Sequence, residues 1–439
     1  MEFFLSSFAV AISLGLYIFC VRNGNGIDRR AASLQGYYLI FFFFLAPLLH
    51  IFLDTFVDVS ISDWNAALTK FNMMNAIGLL FAIIGFKFGR GNFNLRPRSV
   101  LNWGRLQRIC IFVATLGALV YLLMWIVAPS SMLLGAGSEG EGPLPIYFYM
   151  LVECIPMLVG WIYISANKKK NRNLSPRGFW VIFLIVAVLS IIFSGMRGSR
   201  VSVIFQVLSF VLLYDAAIQR IRIGKLLILA VAAISFNSIF SVYKYGGVDA
   251  FSDYASNGER SEYVEKVSAP ARILLHDFGR ADVAALVLDR ATTGGYRAPL
   301  FPETYLYGIQ LLLPQSLRSE DFSSKTVLGA SAQYQVSIQD AEPSSRIYGV
   351  IAESILNFGL LLLPFVFLFF GYVHRRTLTA AVQAKENEFL LFYPLFVLAP
   401  IFFLFYDFDN ILFLLVKTWL IPAVVFVVSG KSRLLSNAS

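Results

Sequence analysis

The lysines and arginines of this chain are sorted onto every second connection between its apolar stretches, and that alternation restricts the fold more than any motif does. Eleven such stretches run at roughly 3–20, 35–53, 69–86, 109–128, 145–165, 179–194, 201–214, 226–243, 347–372, 389–406 and 411–429. A helix needs about 20 mostly apolar residues to cross a bilayer, a length that most of these reach, with 179–194 and 201–214 short. The connections 21–34, 87–108, 166–178, 215–225, 373–388 and 430–439 carry 22 Lys/Arg against 4 Asp/Glu, whereas the alternate segments carry 12 against 21. Cytoplasmic loops collect Lys and Arg. The first set therefore reads as cytoplasmic, with the N-terminus outside and the C-terminus inside. The expected fold is all-α, a polytopic integral inner-membrane protein with about eleven transmembrane helices.

Composition points the same way. The chain is 57% hydrophobic and only 14% charged, which exceeds what a soluble core of this length requires. Nucleic acid is excluded as a partner, because the net charge of +9 is distributed over membrane loops and leaves no basic face. The first stretch follows Met1-Glu2 without a basic leader or a small-residue cleavage site, so it reads as a retained helix. Cys20, Cys110 and Cys154 all fall inside apolar stretches, where small buried packing residues are expected rather than disulfides.

One connection breaks the pattern. Most loops are 10–20 residues, but 244–346 spans about a hundred on the outer, periplasmic side. The expected organisation is thus 1–243 with helices one to eight, 244–346 as a partly helical periplasmic loop, and 347–439 with helices nine to eleven. Within the loop, 269–290 reads as an amphipathic helix opened by Pro270, with Ile273, Leu274, Phe278, Val283, Leu286 and Leu288 as its apolar stripe. Too small for a core of its own, it is expected to lie on the membrane domain as an interfacial roof. A second helix is expected over 303–313, ending at Pro314, and 319–345 reads as irregular. Long loops of this kind usually act as lids or binding surfaces.

The residues that could carry chemistry lie on the same side. The short outward turn Ser194-Gly195-Met196-Arg197-Gly198-Ser199-Arg200 holds two arginines against the charge bias. The guanidiniums of Arg197 and Arg200 are planar forks suited to phosphate oxygens. The loop adds Arg272, Arg280, Arg290, Arg297 and Arg318, with Asp277, Asp282 and Asp289 nearby. Arg280 follows Asp277 by three residues, so a simple helix-surface ion pair is an equally available reading. Glu153, Glu353 and Lys417 lie inside apolar stretches, where ionisable groups are costly and either functional or paired with one another. His50, His276 and His374 fall on separate segments without metal-ligand spacing, and Asp407-Phe408-Asp409 offers only a weak metal signal. No phosphate-binding glycine loop and no nucleotide fingerprint is present. Neither a metal nor a cofactor is expected.

At these residues the chain resembles the Wzy-type polymerases of bacterial surface polysaccharides, including O-antigen and enterobacterial common antigen polymerases. The likeness rests on the span pattern, the turn Ser-Gly-Met-Arg-Gly-Ser-Arg, the long outer loop before the last spans, and Glu-Ser-Ile-Leu-Asn-Phe-Gly at 353–359. Tyr305-x-Tyr307-Gly308, followed by Leu-Leu-Leu-Pro314 and Arg318, adds to it. The resemblance implies inverting, metal-independent glycosyl transfer between undecaprenyl-diphosphate-linked oligosaccharides on the periplasmic face. Membrane lipids and a chain-length-regulating co-polymerase are then the further candidate partners. A donor that already carries diphosphate needs cations to stabilise the leaving group, and the acceptor hydroxyl needs a base. Arg197, Arg200, Arg280 and Arg318 are the diphosphate candidates, with Arg272, Arg290 and Arg297 behind them. His276, Asp277, Asp282 and Glu353 are the catalytic candidates, in no order. A ligase using the same donor and a flippase for the lipid-linked glycan are the alternative readings.

Overall fold

A computed structural model describes residues 1–57, 59, 61–91, 99–127, 146–170, 173–197, 199–257, 269–319, 321–342 and 346–432. The protein is an all-α, multi-pass membrane protein. Among the described residues ten helices are long and apolar enough to cross a bilayer. They are α1 (Glu2–Arg22), α2 (Arg29–Phe52), α3 (Trp64–Phe88), α4 (Trp103–Val127), α5 (Tyr147–Lys169), α6 (Pro176–Phe193), α7 (Arg200–Ala217), α8 with its apolar part Gly224–Val242, α14 (Glu388–Phe405) and α15 (Phe408–Ser429). Each coincides with an apolar stretch of the sequence. Large apolar side chains such as Phe4, Phe8, Phe112, Leu123 and Leu184 stay exposed along α1, α4 and α6, as lipid-facing surfaces require. The remaining helices are α9 (Ala281–Thr293), α10 (Glu303–Gln310), α11 (Lys325–Tyr334), α12 (Gly349–Phe358) and α13 (Leu363–Lys385).

The stretch expected as a ninth span, 347–372, is not one helix. It divides at Gly359, whose φ of +61° ends α12, and resumes as α13. Ten residues of helix span about 15 Å, half the hydrocarbon thickness. α12 cannot cross, and its buried residues run from Gly349 to Asn357 without a lipid-facing stripe. The physical reason is local: Gly359 supplies the positive φ at the helix end and Tyr296 Oη donates to the Leu356 carbonyl at 2.6 Å, tying the last turn to the loop.

The chain divides into two compact units. The first combines 1–94, 271–383 and 395–412, so the loop from Ala271 onward belongs with α1–α3. Its frame is the long contact of α1 with α3. Glycines set the closest approach of α3 and α13: a Cβ on Gly85 would strike the Leu368 carbonyl, and one on Gly371 the Ala82 carbonyl. Small residues let backbones meet in this way where lipid provides no hydrophobic drive. The second unit combines 95–270, 384–394 and 413–439. There α4 packs on α5, and α6 packs on both α5 and α7. A three-residue antiparallel ladder pairs Ser99–Leu101 with Gly430–Ser432. Its buried carboxylate, Glu153, has the Lys417 ammonium at 3.7 Å, the span-to-span pairing that the sequence left open.

The long loop departs from expectation in three places. The single helix expected over 269–290 is interrupted by a π-helical turn, Ile273–Gly279, and by Arg280 in the left-handed region. α9, which follows, buries every residue from Ala281 to Asp289. A helix buried on all sides is a core element rather than an interfacial roof, and α9 packs on α2, α3, α11 and α12. Finally, 325–334 is helical, started by the Ser324 hydroxyl accepting from the Val327 N–H. The loop thus lies against membrane helices, as expected, but as their packing partner.

Candidate active site

The site begins where the loop turns into α9. In the π-helical turn the Arg280 N–H donates to the Leu275 carbonyl at 2.6 Å, five residues back. Such turns are frequent at functional positions. Gly279 permits close passage, since a Cβ there would press on the Cβ of Ala46 in α2. Arg280 then takes φ +51°, a conformation that costs a non-glycine residue on the order of 1 kcal/mol or more. Its guanidinium is buried and holds the turn, with Nε donating to the Asp277 carbonyl at 3.1 Å and Nη1 to the Ile347 carbonyl at 3.0 Å. The predicted Asp277 partner is therefore met through its backbone oxygen. Tyr38 of α2 donates to the Phe278 carbonyl at 2.9 Å, and the Arg280 charge acts on that same Tyr38.

This strained turn delivers His276 and Asp282 to one place. His276 Nδ1 lies 3.3 Å from Asp282 Oδ2, and His50 Nε2 of α2 lies 3.6 Å from Asp282 Oδ1. Asp282 and His50 are fully buried, and the His276 side chain is 15% exposed. The His50 Nδ1 faces the Thr55 carbonyl, which accepts only, so Nδ1 carries a proton. Both Asp282 oxygens, His50 Nε2 and His276 Nε2 are buried without a hydrogen-bond partner among the described residues. Four unsatisfied polar atoms on three adjoining side chains are unusual, because buried polar groups are nearly always hydrogen-bonded. Burial pushes the His276 imidazole down to about 4, with Asp282 opposing that shift and His50 and Arg272 adding to it. Arg272 is thus the cation whose field reaches His276.

A second cluster in the same unit is fully engaged. Lys325 Nζ donates to Asp407 Oδ2 at 2.5 Å and to Asp409 Oδ1 at 2.8 Å. Asp407 Oδ1 also accepts from the N–H groups of Tyr348 and Gly349. Glu353 accepts the Thr304 hydroxyl at 2.6 Å on Oε1 and the Phe408 N–H at 2.7 Å on Oε2. Asn357 bridges to Thr304 through both its amide atoms, and Tyr305 Oη meets Ser354 Oγ at 2.9 Å. The Glu353-Ser-Ile-Leu-Asn357 stretch therefore clasps α10 and the turn before α15. Burial opposes the Lys325 charge, but Asp407 and Asp409 outweigh it and hold the ammonium above its usual range.

The structure thus brings His276, Asp282, Asp277, Arg272 and Arg280 into one turn, while Glu353 sits in the clasp. Arg318 is exposed and donates to the Leu311 and Leu313 carbonyls, finishing the end of α10. Arg290 is half-buried in the last turn of α9, and Arg297 is exposed. Arg197 and Arg200 belong to the second unit. Arg200 Nη1 donates to Ser241 Oγ at 2.6 Å; the Arg197 side chain and Gly198 lie outside the described residues. His50, weighed in the sequence only for metal-ligand spacing, was not a site candidate there, although a histidine at the end of an apolar stretch is the signal that marks costly intramembrane polar groups. His374 lies elsewhere, bonded to Tyr17 at 2.6 Å and Gln35 at 2.8 Å. Among the described residues no group of three or more His, Cys, Asp or Glu is arranged to hold a metal ion.

These features define a polytopic helical membrane protein with a buried, incompletely satisfied His–Asp–His cluster. The chain matches no family model, and no curated protein or solved structure matches it.

Proposed function

We propose that the chain is a membrane glycosyltransferase that polymerises undecaprenyl-diphosphate-linked oligosaccharide repeat units on the periplasmic face of the inner membrane. The observation that carries this reading is His276 beside Asp282, with its Nε2 buried and unpartnered. A carboxylate 3.3 Å from Nδ1 favours the tautomer in which Nε2 is the basic nitrogen. Nε2 then takes the proton of the acceptor hydroxyl as that oxygen attacks the anomeric carbon. The bond from that carbon to the diphosphate breaks, and undecaprenyl diphosphate leaves with the electron pair. One displacement inverts the configuration. Arg272, whose charge already reaches His276, and Arg280, with Nη2 left over beyond its two carbonyl contacts, are the cations for the departing diphosphate.

The sidedness belongs to the same proposal. The 22-against-4 sorting of basic residues supports a periplasmic loop, which is where lipid-linked repeat units are polymerised in the family the sequence resembles. Purified full-length protein with a lipid-linked repeat unit is the test. A ladder of products growing by one repeat supports the proposal. A single transfer to a separate lipid acceptor means a ligase, and translocation without any new glycosidic bond means a flippase; either outcome overturns it.

A further inference from the structure

The second unit contains a cavity of about 380 Å³ where the start of α6, the end of α7 and the start of α8 meet. Arg220, Arg222 and Lys225 line it together with Trp180, Tyr214, Ile228 and Leu229. We propose that this cavity binds the phosphate of an anionic glycerophospholipid, with the acyl chains lying along α8.

Several independent features converge on that ligand. Arg220, Arg222 and Lys225 are exposed, and none forms an ion pair among the described residues. The acid nearest in sequence, Asp215, uses Oδ1 to accept the Ile221 N–H at 2.7 Å, which pins the connection between α7 and α8 in shape. Helix α8 runs Ile223–Asn257, and its N-terminus adds the positive end of the helix dipole beside Arg222. Trp180 and Tyr214 face each other with ring centroids 5.4 Å apart; aromatic pairs of this kind mark the head-group level of a bilayer. Below the charges the wall is apolar, and Ile228 is 69% exposed on the lipid-facing side of its helix. A soluble phosphate would use the cations and ignore that wall. A phospholipid uses both. All three helix ends lie on the side that collects basic loops, where anionic lipids attract such clusters. A polymerase, a ligase or a transporter would accommodate such a site equally, so its fate is separable from that of the glycosyl-transfer reading.

The test uses full-length protein, delipidated in neutral detergent and titrated with short-chain phosphatidylglycerol, phosphatidylcholine, glycerol 3-phosphate and inorganic phosphate, with retained lipid counted by native mass spectrometry. Phosphatidylglycerol should bind at a saturable site. Removing all three charges in R220Q/R222Q/K225Q should weaken it at least tenfold, at roughly fivefold per charge. The variant K168Q/K169Q/K170Q removes equal charge from the exposed end of α5 on the same side and should leave binding unchanged; it also controls for non-specific loss. Equal binding by the first variant and the parent, equal weakening by both variants, or equal affinity for phosphatidylcholine overturns the proposal. Competition by glycerol 3-phosphate or inorganic phosphate at the same concentration as the lipid overturns it in favour of a soluble anion.

Discussion

His276 and Asp282 stand six residues apart in sequence, yet a π-helical turn and a left-handed Arg280 place Nδ1 of one 3.3 Å from the carboxylate of the other. An uninterrupted α-helix would set residues six apart about 120° away around the axis and about 9 Å along it, too far for their side chains to meet in this way. The backbone strain at Arg280 is therefore what creates the pair. His276→Ala should lower polymerisation about 10²–10⁴-fold, the range for loss of a general base. Asp282→Asn should cost less, because it removes orientation and leaves the imidazole. Normal polymer length and amount from a His276→Ala strain, with protein present in the membrane, would remove this residue from the reaction.

Arg280→Gly separates strain from charge. Glycine adopts φ +51° freely, so relief of roughly 1 kcal/mol should offset much of what is lost with the guanidinium contacts to Asp277 and Ile347. Thermal stability in detergent should stay near that of the parent, while turnover falls about tenfold to a hundredfold for one lost charge-assisted contact. Arg280→Ala keeps the strain without the contacts and should be the less stable of the two. Reversal of that order would mean that Arg280 is unstrained.

The pH dependence follows from His276. Its folded value, about 4, lies below the ordinary 6.5 because burial opposes the charged form. The groups facing it are Asp282, His50, Arg272 and Asp277. Below 6.5 the unfolded chain takes up a proton that the folded chain refuses until about 4. The contribution of His276 to stability should thus be constant above 6.5, fall as the pH drops from 6.5 to 4, and level off below. The basic nitrogen also stays available down to about 4, so the acidic limb of the rate profile should lie near 4 to 5. ¹⁵N-imidazole shifts of His276 titrating near 6.5 would contradict this.

The spans could be read directly because lipid gives backbone groups no partner, and a helix crossing it must be an apolar run. Ten of the eleven stretches accordingly reappear as helices of spanning length. What escaped depends on contacts distant in sequence. The break at Gly359 is coupled to Tyr296 on the Leu356 carbonyl, and the turn at Arg280 to Ala46 and Ile347. α9 has a stripe when viewed alone, but its polar positions are met by neighbours, as where Lys70 of α3 takes Asp289 at 2.7 Å. In the candidate site, His276 and Asp282 were legible as residue types. Their union with His50 was not, because 226 residues separate the two histidines and only packing of the turn on α2 joins them.

Lys325 supplies the last prediction, since it decides how Asp407-Phe408-Asp409 is used. With the ammonium 2.5 Å from one carboxylate and 2.8 Å from the other, a cation of the protein itself already bridges the pair. A divalent cation binding there would first have to displace Lys325 and break the Asp407 contacts to the Tyr348 and Gly349 N–H groups. Activity of the purified protein should therefore survive EDTA, and an absolute requirement for added Mg²⁺ or Mn²⁺ would reassign both aspartates as ligands. Lys325→Met should behave very differently. It leaves two buried carboxylates without their counter-charge, a change that typically costs about 3–5 kcal/mol, and it loosens the clasp in which Glu353 holds the Phe408 N–H. Loss of the protein from the membrane, or a lower unfolding temperature in detergent, is the expected outcome. Adding Asp407→Asn and Asp409→Asn to Lys325→Met should restore part of the stability, because the stranded charges are gone. No recovery in that triple variant would mean that Lys325 contributes through packing alone.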